Sequence, residues 1–286
     1  MKQVRLSDHA SGMAERIRVE REARNAARIS AHEACITAKQ RRLEDLSRHR
    51  IRAWHEGRYL SWLVQGLHFL WVSSGGHPNQ PPLEGPTQEE ARWAAGRSGE
   101  EAVASFLASH LGDDWTLVGG YRNGAGEIDH VLVGPTGLVT IEVKFRNAAV
   151  TIQGDRWIAD EYDQYGNLVR QGIPMLDGGR QGRSPSRQLN ESTDRLVHFL
   201  RKTLPDIEAM RVVVLSHERS RLVSVSHPTV IPVVLGRWPL LDMLKLGCRR
   251  LEPEERELLI ALVRRDHEFH SRRGTPGRRP GASRAA

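Results

Sequence analysis

Asp129, Glu142 and Lys144 are the residues of this chain whose types and spacing promise chemistry. They lie in two runs rich in β-branched residues, Gly126-Glu127-Ile128-Asp129-His130-Val131-Leu132-Val133 and Leu138-Val139-Thr140-Ile141-Glu142-Val143-Lys144, joined by Gly134-Pro135-Thr136-Gly137. Two such runs around a four-residue turn read as a β-hairpin. With Val133 paired to Leu138, Asp129 falls opposite Glu142. Directly paired Cβ atoms are roughly 4.5–5.5 Å apart, and like charges there destabilise a sheet. Two carboxylates so held call for a proton or a cation. Lys144, two residues beyond Glu142, points to the same face. A hard cation held by carboxylates acts as a Lewis acid and lowers the pKa of bound water. Mg²⁺ takes only one or two protein carboxylates, the number that Asp129 and Glu142 supply. Lys144 would then orient the attacking water, take its proton, or stabilise the developing negative charge. The set is that of a divalent-metal hydrolase.

Each residue also has an ordinary reading. Glu-x-Lys on an exposed strand is commonplace, and the same register sets Lys144 opposite Glu127 as a cross-strand ion pair. Asp129 opposite Glu142 is harder to explain structurally. His130 points away from Asp129 and reads as a packed histidine, and Glu127 as a peripheral acid.

The elements that position this hairpin follow from patterning. Thr87 is an N-cap with Glu89 and Glu90 in the first turn, and its helix carries Trp93, Gly96, Glu100, Val103, Phe106 and Leu107. Glycines within a helix lower its propensity by about 1 kcal/mol each; close approach to the sheet would explain them. A strand over Trp115–Tyr121 precedes the hairpin, and a second hairpin turns at Gly154-Asp155. Ser184-Pro185 is a helix start with Pro at its first position, continued by Leu189, Leu196, Phe199 and Leu200. Strands over Arg211–Leu215 and Val230–Leu235 follow, then helices near Leu240–Leu246 and Pro253–His267.

This arrangement resembles the PD-(D/E)xK nuclease superfamily, whose signature is an Asp followed downstream by Glu-x-Lys, and within it the NERD (nuclease-related domain) family. The resemblance rests on Gly96-Arg97-Ser98-Gly99-Glu100, on Glu127 to Gly137, and on Ile141-Glu142-Val143-Lys144, with Trp157 and Pro185-Ser186-Arg187-Gln188 following. It covers residues 92–204 and continues weakly towards 247. It implies an α/β, restriction-endonuclease-like core, a mixed sheet flanked by helices, and nuclease activity with Mg²⁺ or Mn²⁺. It also implies that the backbone carbonyl of Val143 joins Asp129 and Glu142 as a metal ligand, that Glu100 assists from its helix, and that Gln188 contacts the water or a phosphate.

Outside that core the sequence divides into a helical extension (1–73), a Gly/Pro-rich linker (74–86), the nuclease-like domain (87–268) and a basic tail (269–286) expected to be disordered. Residues 1–50 hold twelve Lys and Arg against seven acids, and 271–286 hold five Arg and no acid. The chain's +7 therefore belongs to its arms, and the region between is −3. A basic arm is a footprint of nucleic-acid binding, although acids interleaved among the N-terminal arginines also suit an exposed salt-bridged helix. Arg180, Arg183 and Arg187 precede and open the helix at Pro185, whose N-terminal N–H groups suit phosphate; this loop is a candidate grip on the nucleic-acid backbone. Tyr59–Val72 carries Tyr59, Trp62, Leu63, Gly66, Leu67, Leu70 and Trp71 on one helical face. It is too short and polar, with Gln65 and His68, for a membrane span of about 20 apolar residues. It reads as a docking helix for the core, a protein partner or a second copy. Two cysteines, Cys35 and Cys248, show no ligand-type spacing, which with no apparent secretory signal suits a cytoplasmic protein. The partner implied is nucleic acid, DNA in preference to RNA. The alternative is a catalytically inactive nucleic-acid-binding or protein-interaction module on the same fold.

Overall fold

The computed structural model describes residues 1–7, 9–76, 79–176, 182–226 and 233–274. The chain divides into a helical unit, Met13–Ala91, and an α/β unit made of Met1–Gly12 with Arg92–Ala286.

In the helical unit, α1 (His9–His55) is followed by α2 (Tyr59–Ser74). The two helices touch through Trp54, whose ring lies 5.5 Å from that of Tyr59 and 5.4 Å from that of Trp62, and through Arg50 over the Phe69 ring. No residue of α2 is buried. Leu60, Leu63, Val64, Leu67, Leu70 and Trp71 stand in solvent, Leu60 at 86% exposure. Within the helical unit these side chains are left uncovered by α1.

The α/β unit is built on a six-stranded mixed sheet ordered β1-β2-β3-β4-β8-β10, comprising β1 (Lys2–Arg5), β2 (Thr116–Asn123), β3 (Gly126–Gly134), β4 (Gly137–Lys144), β8 (Ala209–Leu215) and β10 (Val233–Leu235). A four-stranded sheet, β7-β6-β5-β9, is formed by β5 (Ala148–Gln153), β6 (Arg156–Tyr162), β7 (Leu168–Pro174) and β9 (Arg221–Ser226). Strands β3 and β4 form the expected hairpin in the expected register, Val133 on Leu138 through His130 on Ile141. β8 adds to β4 in parallel, Glu142 beside Val213.

Alternation along the strands makes two apolar layers. On one face Leu117, Leu132, Val139, Ile141, Val143, Val212 and Val214 cluster with Val103 and Leu107 of α3 (Gln88–His110) and with Leu240 and Leu244 of α5 (Arg237–Leu246). On the other, Val118, Val131, Val133, Leu138 and Val213 cluster with α4 (Pro185–Leu200), α6 (Pro253–Gly274) and inward residues of the small sheet such as Ile152 and Trp157. Each fully buried aliphatic side chain contributes about 1.5–3 kcal/mol. This is the mixed α/β class, sheets flanked by helices, in a chain that also has a helical N-terminal region.

Three details depart from the sequence reading. Residues 2–5, assigned to the helical extension, form a strand parallel to β2, Val4 beside Val118. Helix α6 runs to Gly274, so the first residues assigned to a disordered tail are helical, and 275–286 lie outside the described residues. Strands β7 and β9 were not foreseen; both are edge strands with mostly exposed side chains, so neither carries a buried alternation.

Candidate active site

The site forms where the β2–β3–β4 ladder fails. Val118 and Tyr121 of β2 belong to the same apolar layer although three residues apart, as do Val131 and Ile128 of β3. Strict alternation would place each pair on opposite faces, so both strands turn over by one residue between them. At that point Gly119 pairs with His130 and Tyr121 with Ile128, while Gly120 and Asp129 are left out of the pairing. Gly120 takes φ +66°, and a Cβ there would sit 2.3 Å from the Ser7 carbonyl oxygen, so only glycine is accommodated.

Asp129 is thereby released from the sheet. The β3–β4 pairing continues only to His130 and Ile141, so Asp129 is not the ladder partner of Glu142 that simple register implies. Its Oδ2 instead accepts the N–H of Val143 at 2.6 Å, taking the place of a ladder bond. Consecutive strand residues present their N–H and C=O groups to opposite sides. Lys144 gives its carbonyl to Ser216 N–H, on the β8 side; the carbonyl of Val143 therefore faces the β3 side, with Asp129. Glu142, 1% exposed, forms an ion pair with Lys144, Oε1 to Nζ 2.8 Å.

Glu100 comes to this place through close helix packing. A Cβ on Gly99 would lie 2.5 Å from Cβ of Phe145, the residue after Lys144, so the glycine lets α3 settle against the end of β4. Gly96 has nothing within 4 Å of such a Cβ, and close approach does not account for it. Burial, then the negative charges of Asp129 and Glu127, push the Glu100 carboxyl up from 4.5 to about 8, while Lys144 and Arg5 pull it down. The Asp129 and Glu142 carboxylates meet the Val143 N–H and the Lys144 ammonium respectively, and the raised Glu100 carboxyl lies beside them. His130 is fully enclosed, its Nε2 3.2 Å from the Glu100 carbonyl, and burial pushes it down to about 4. It is a neutral packed histidine, although it lines the same cavity as Asp129.

That cavity, about 430 Å³, is lined by Gln3, Arg5, Ser7, Glu100, Gly119 and Asp129 among others. Arg5 and Ser7 were not anticipated. A four-residue strand with no alternation gives no sequence signal, whereas Gly119-Gly120 inside a strand pattern does mark a bulge or close backbone approach. Glu127 accepts Ser7 Oγ at 3.0 Å.

The remaining candidates lie on or before α4. Ser184 caps the helix, accepting Arg187 N–H, and Ser184 and Ser186 both donate to Asp155 in the β5–β6 turn; Trp157 Nε1 donates to Ser186 Oγ at 2.8 Å. Gln188 keeps its Oε1 buried without a hydrogen-bond partner among the described residues. Arg183 and Arg187 both ion-pair with Glu191, at 2.8 and 2.7 Å, and Arg183 also donates to the Ala125 carbonyl. Arg180 lies outside the described residues.

Among the described residues no group of three or more His, Cys, Asp or Glu stands together as a metal cage. A zinc-type ligand set is therefore not offered there. The donors do fit a cation that keeps most of its waters: two carboxylates, Asp129 and Glu142, and a carbonyl turned to the Asp129 side. Burial first, and then the Asp129 and Glu127 charges, raise the Glu100 carboxyl beside these donors.

Residues 95–216 match the model of the NERD family, described as a nuclease-related domain. No curated protein sequence matches the chain. Among solved structures, SfsA of Pyrococcus furiosus, determined in complex with Ca²⁺, is similar at 17% identity with a TM-score of 0.21, covering 54% of this chain and 52% of that one. The chain thus spans about half the length of that structure. Among the described residues no helix is long and apolar enough to cross a membrane.

Proposed function

We propose, from the premise that residues 95–216 are a nuclease-related domain of the PD-(D/E)xK-like superfamily, that the chain is a metal-dependent nuclease acting on DNA. The observation that carries the reading is the convergence of Asp129, Glu100 and the Glu142–Lys144 pair at one break in the β3–β4 ladder. Asp129, Glu142 and the Val143 carbonyl would hold Mg²⁺ or Mn²⁺, which when bound supplies Lewis acidity and an acidified water. Lys144, held by Glu142, orients the attacking water and offers positive charge to the phosphoryl oxygens. Glu100 is placed to pass a proton to or from that water. Gln188, with its unpartnered amide oxygen, is the residue on α4 suited to accept from a water. In this reading Arg183 and Arg187 exchange Glu191 for backbone phosphate, and Arg180 adds its charge, giving salt-sensitive affinity.

One observation favours the second reading, a nucleic-acid-binding module without catalysis. Lys144 neutralises Glu142 and Val143 satisfies Asp129, so the set has internal partners without a cation. Cleavage of plasmid and linear DNA with Mg²⁺ or Mn²⁺, beside Asp129→Ala and Lys144→Ala, separates the two. The nuclease reading expects metal-dependent cutting that falls by about 10²–10³ in each variant, the scale of losing one charge-stabilising group. DNA retarded on a gel but never cut would establish the binding module.

The face of α2 supports a partner as well. An exposed apolar surface of this extent on one helix calls for cover, and pairs of helical hairpins satisfy that need by forming four-helix bundles. We propose that the cover is a second copy of the chain.

A further inference from the structure

The cavity beside Asp129 is bounded by two parts of the sequence that lie far apart. One wall is Glu100 and Ala104 of α3 with Asp129 of β3; the other is Gln3, Val4, Arg5 and Ser7. Between the walls lies β2, where Arg5 is beside Gly119 and Gly119 is beside His130. The floor is therefore Gly119-Gly120, two residues without side chains to fill the space. The N-terminal segment is held firmly on this floor: Leu6 N–H donates to the Gly119 carbonyl at 2.9 Å, and Ser7 Oγ to the Gly120 carbonyl at 2.6 Å.

Of the charged groups lining the cavity, Glu100, Glu101 and Asp129 are acids and Arg5 is basic. The Arg5 side chain is half exposed and ion-pairs with Glu101 at 3.8 Å. Guanidinium is the side chain whose fork matches phosphate oxygens.

We propose that Arg5 is a phosphate-binding residue of the site, gripping the nucleic-acid backbone beside the phosphodiester that Asp129 and Lys144 act upon. The contact comes from outside the family-matched residues 95–216, and the proposal rests on the nuclease reading above. A strand that adds to the sheet edge thus brings the positive charge that a cavity of carboxylates needs before it can admit a polyanion. Ser7 holds the strand in place as a positioning residue.

The test uses the full chain and a fluorescent DNA duplex, with affinity measured by anisotropy over a series of salt concentrations. Wild type, Arg5→Gln and Arg5→Lys are compared, and melting temperatures verify folding. Losing one phosphate contact reduces the slope of log K against log salt by about 0.7–0.9. Arg5→Gln is expected to bind several-fold more weakly with that smaller slope, and Arg5→Lys to keep most of it; a merely structural role would leave the slope unchanged. Wild-type affinity and slope in Arg5→Gln would overturn the proposal while leaving the nuclease reading intact. Wild type that neither binds nor cuts DNA would overturn both.

Discussion

Glu100 is the residue whose chemistry is most altered by its surroundings. Burial and the Asp129 charge keep its proton to about pH 8, whereas the unfolded chain releases it near 4.5. Between those values the folded state binds the extra proton, so stability is full below about pH 4.5 and declines as pH rises towards 8. The decline reaches at most about 1.4 kcal/mol per pH unit. Glu100→Gln removes the linkage; in chelator, its advantage over wild type in urea unfolding should grow from pH 5 to pH 8. Parallel curves for the two proteins would mean that Glu100 is ionised in the fold. Asp129, Glu142 and Lys144 stood out as candidates in the sequence because carboxylates and a lysine at i, i+2 and across a hairpin are themselves a pattern, whereas Glu100 and Gln188 were implied by the family resemblance alone. Asp129's true partner was not legible there. It depends on two glycines of the neighbouring strand, and no periodicity within β3 reports a break imposed from β2.

At the scale of elements, the contact of α3 with β4 sets the distance between Glu100 and Lys144. Gly99 faces Phe145 so closely that a methyl group there must displace the ring or lift the helix. Gly99→Ala would gain helix propensity of about 1 kcal/mol, yet overpacking costs typically 1–3 kcal/mol. The expected outcome is a net loss of stability with a larger loss of DNA cleavage, since both neighbours of the contact are site residues. Gly96→Ala, with open space around it, is the control and should stabilise. A Gly99→Ala protein as active and as stable as wild type would show that α3 does not position Glu100. The strands of the central hairpin and the Ser184-Pro185 helix start were readable because turn and cap chemistry is local. β1 was hidden because four residues beside a long helix carry no alternation, and β7 and β9 because edge strands with exposed sides lack one.

For the whole molecule, an exposed apolar surface on α2 bears on assembly. Leu63 and Leu67, both more than half exposed, lie one turn apart on its open face. Sedimentation of the full chain should show a dimer, and Leu63→Glu with Leu67→Glu should yield a monomer whose DNA cleavage per chain is unchanged. A wild type that sediments as a monomer would refute self-association and direct attention to a different protein. The helical character of this segment and its apolar face were plain in the sequence; what covers the face was not, because amphipathicity tells which side seeks cover and is silent about where cover comes from.

The bond from Ser7 to the Gly120 carbonyl spans 113 positions of sequence. Ribosomes add about 5–20 residues per second, so the strand bearing Arg5 is made roughly 6–23 s before the strand it rests on. During that interval α1 and α2 can form from local contacts alone, which are the fast ones. The cleft wall made earliest in synthesis is therefore among the last to be set in place, and a nascent chain still short of β2 and β3 has neither the floor nor the opposite wall of the pocket.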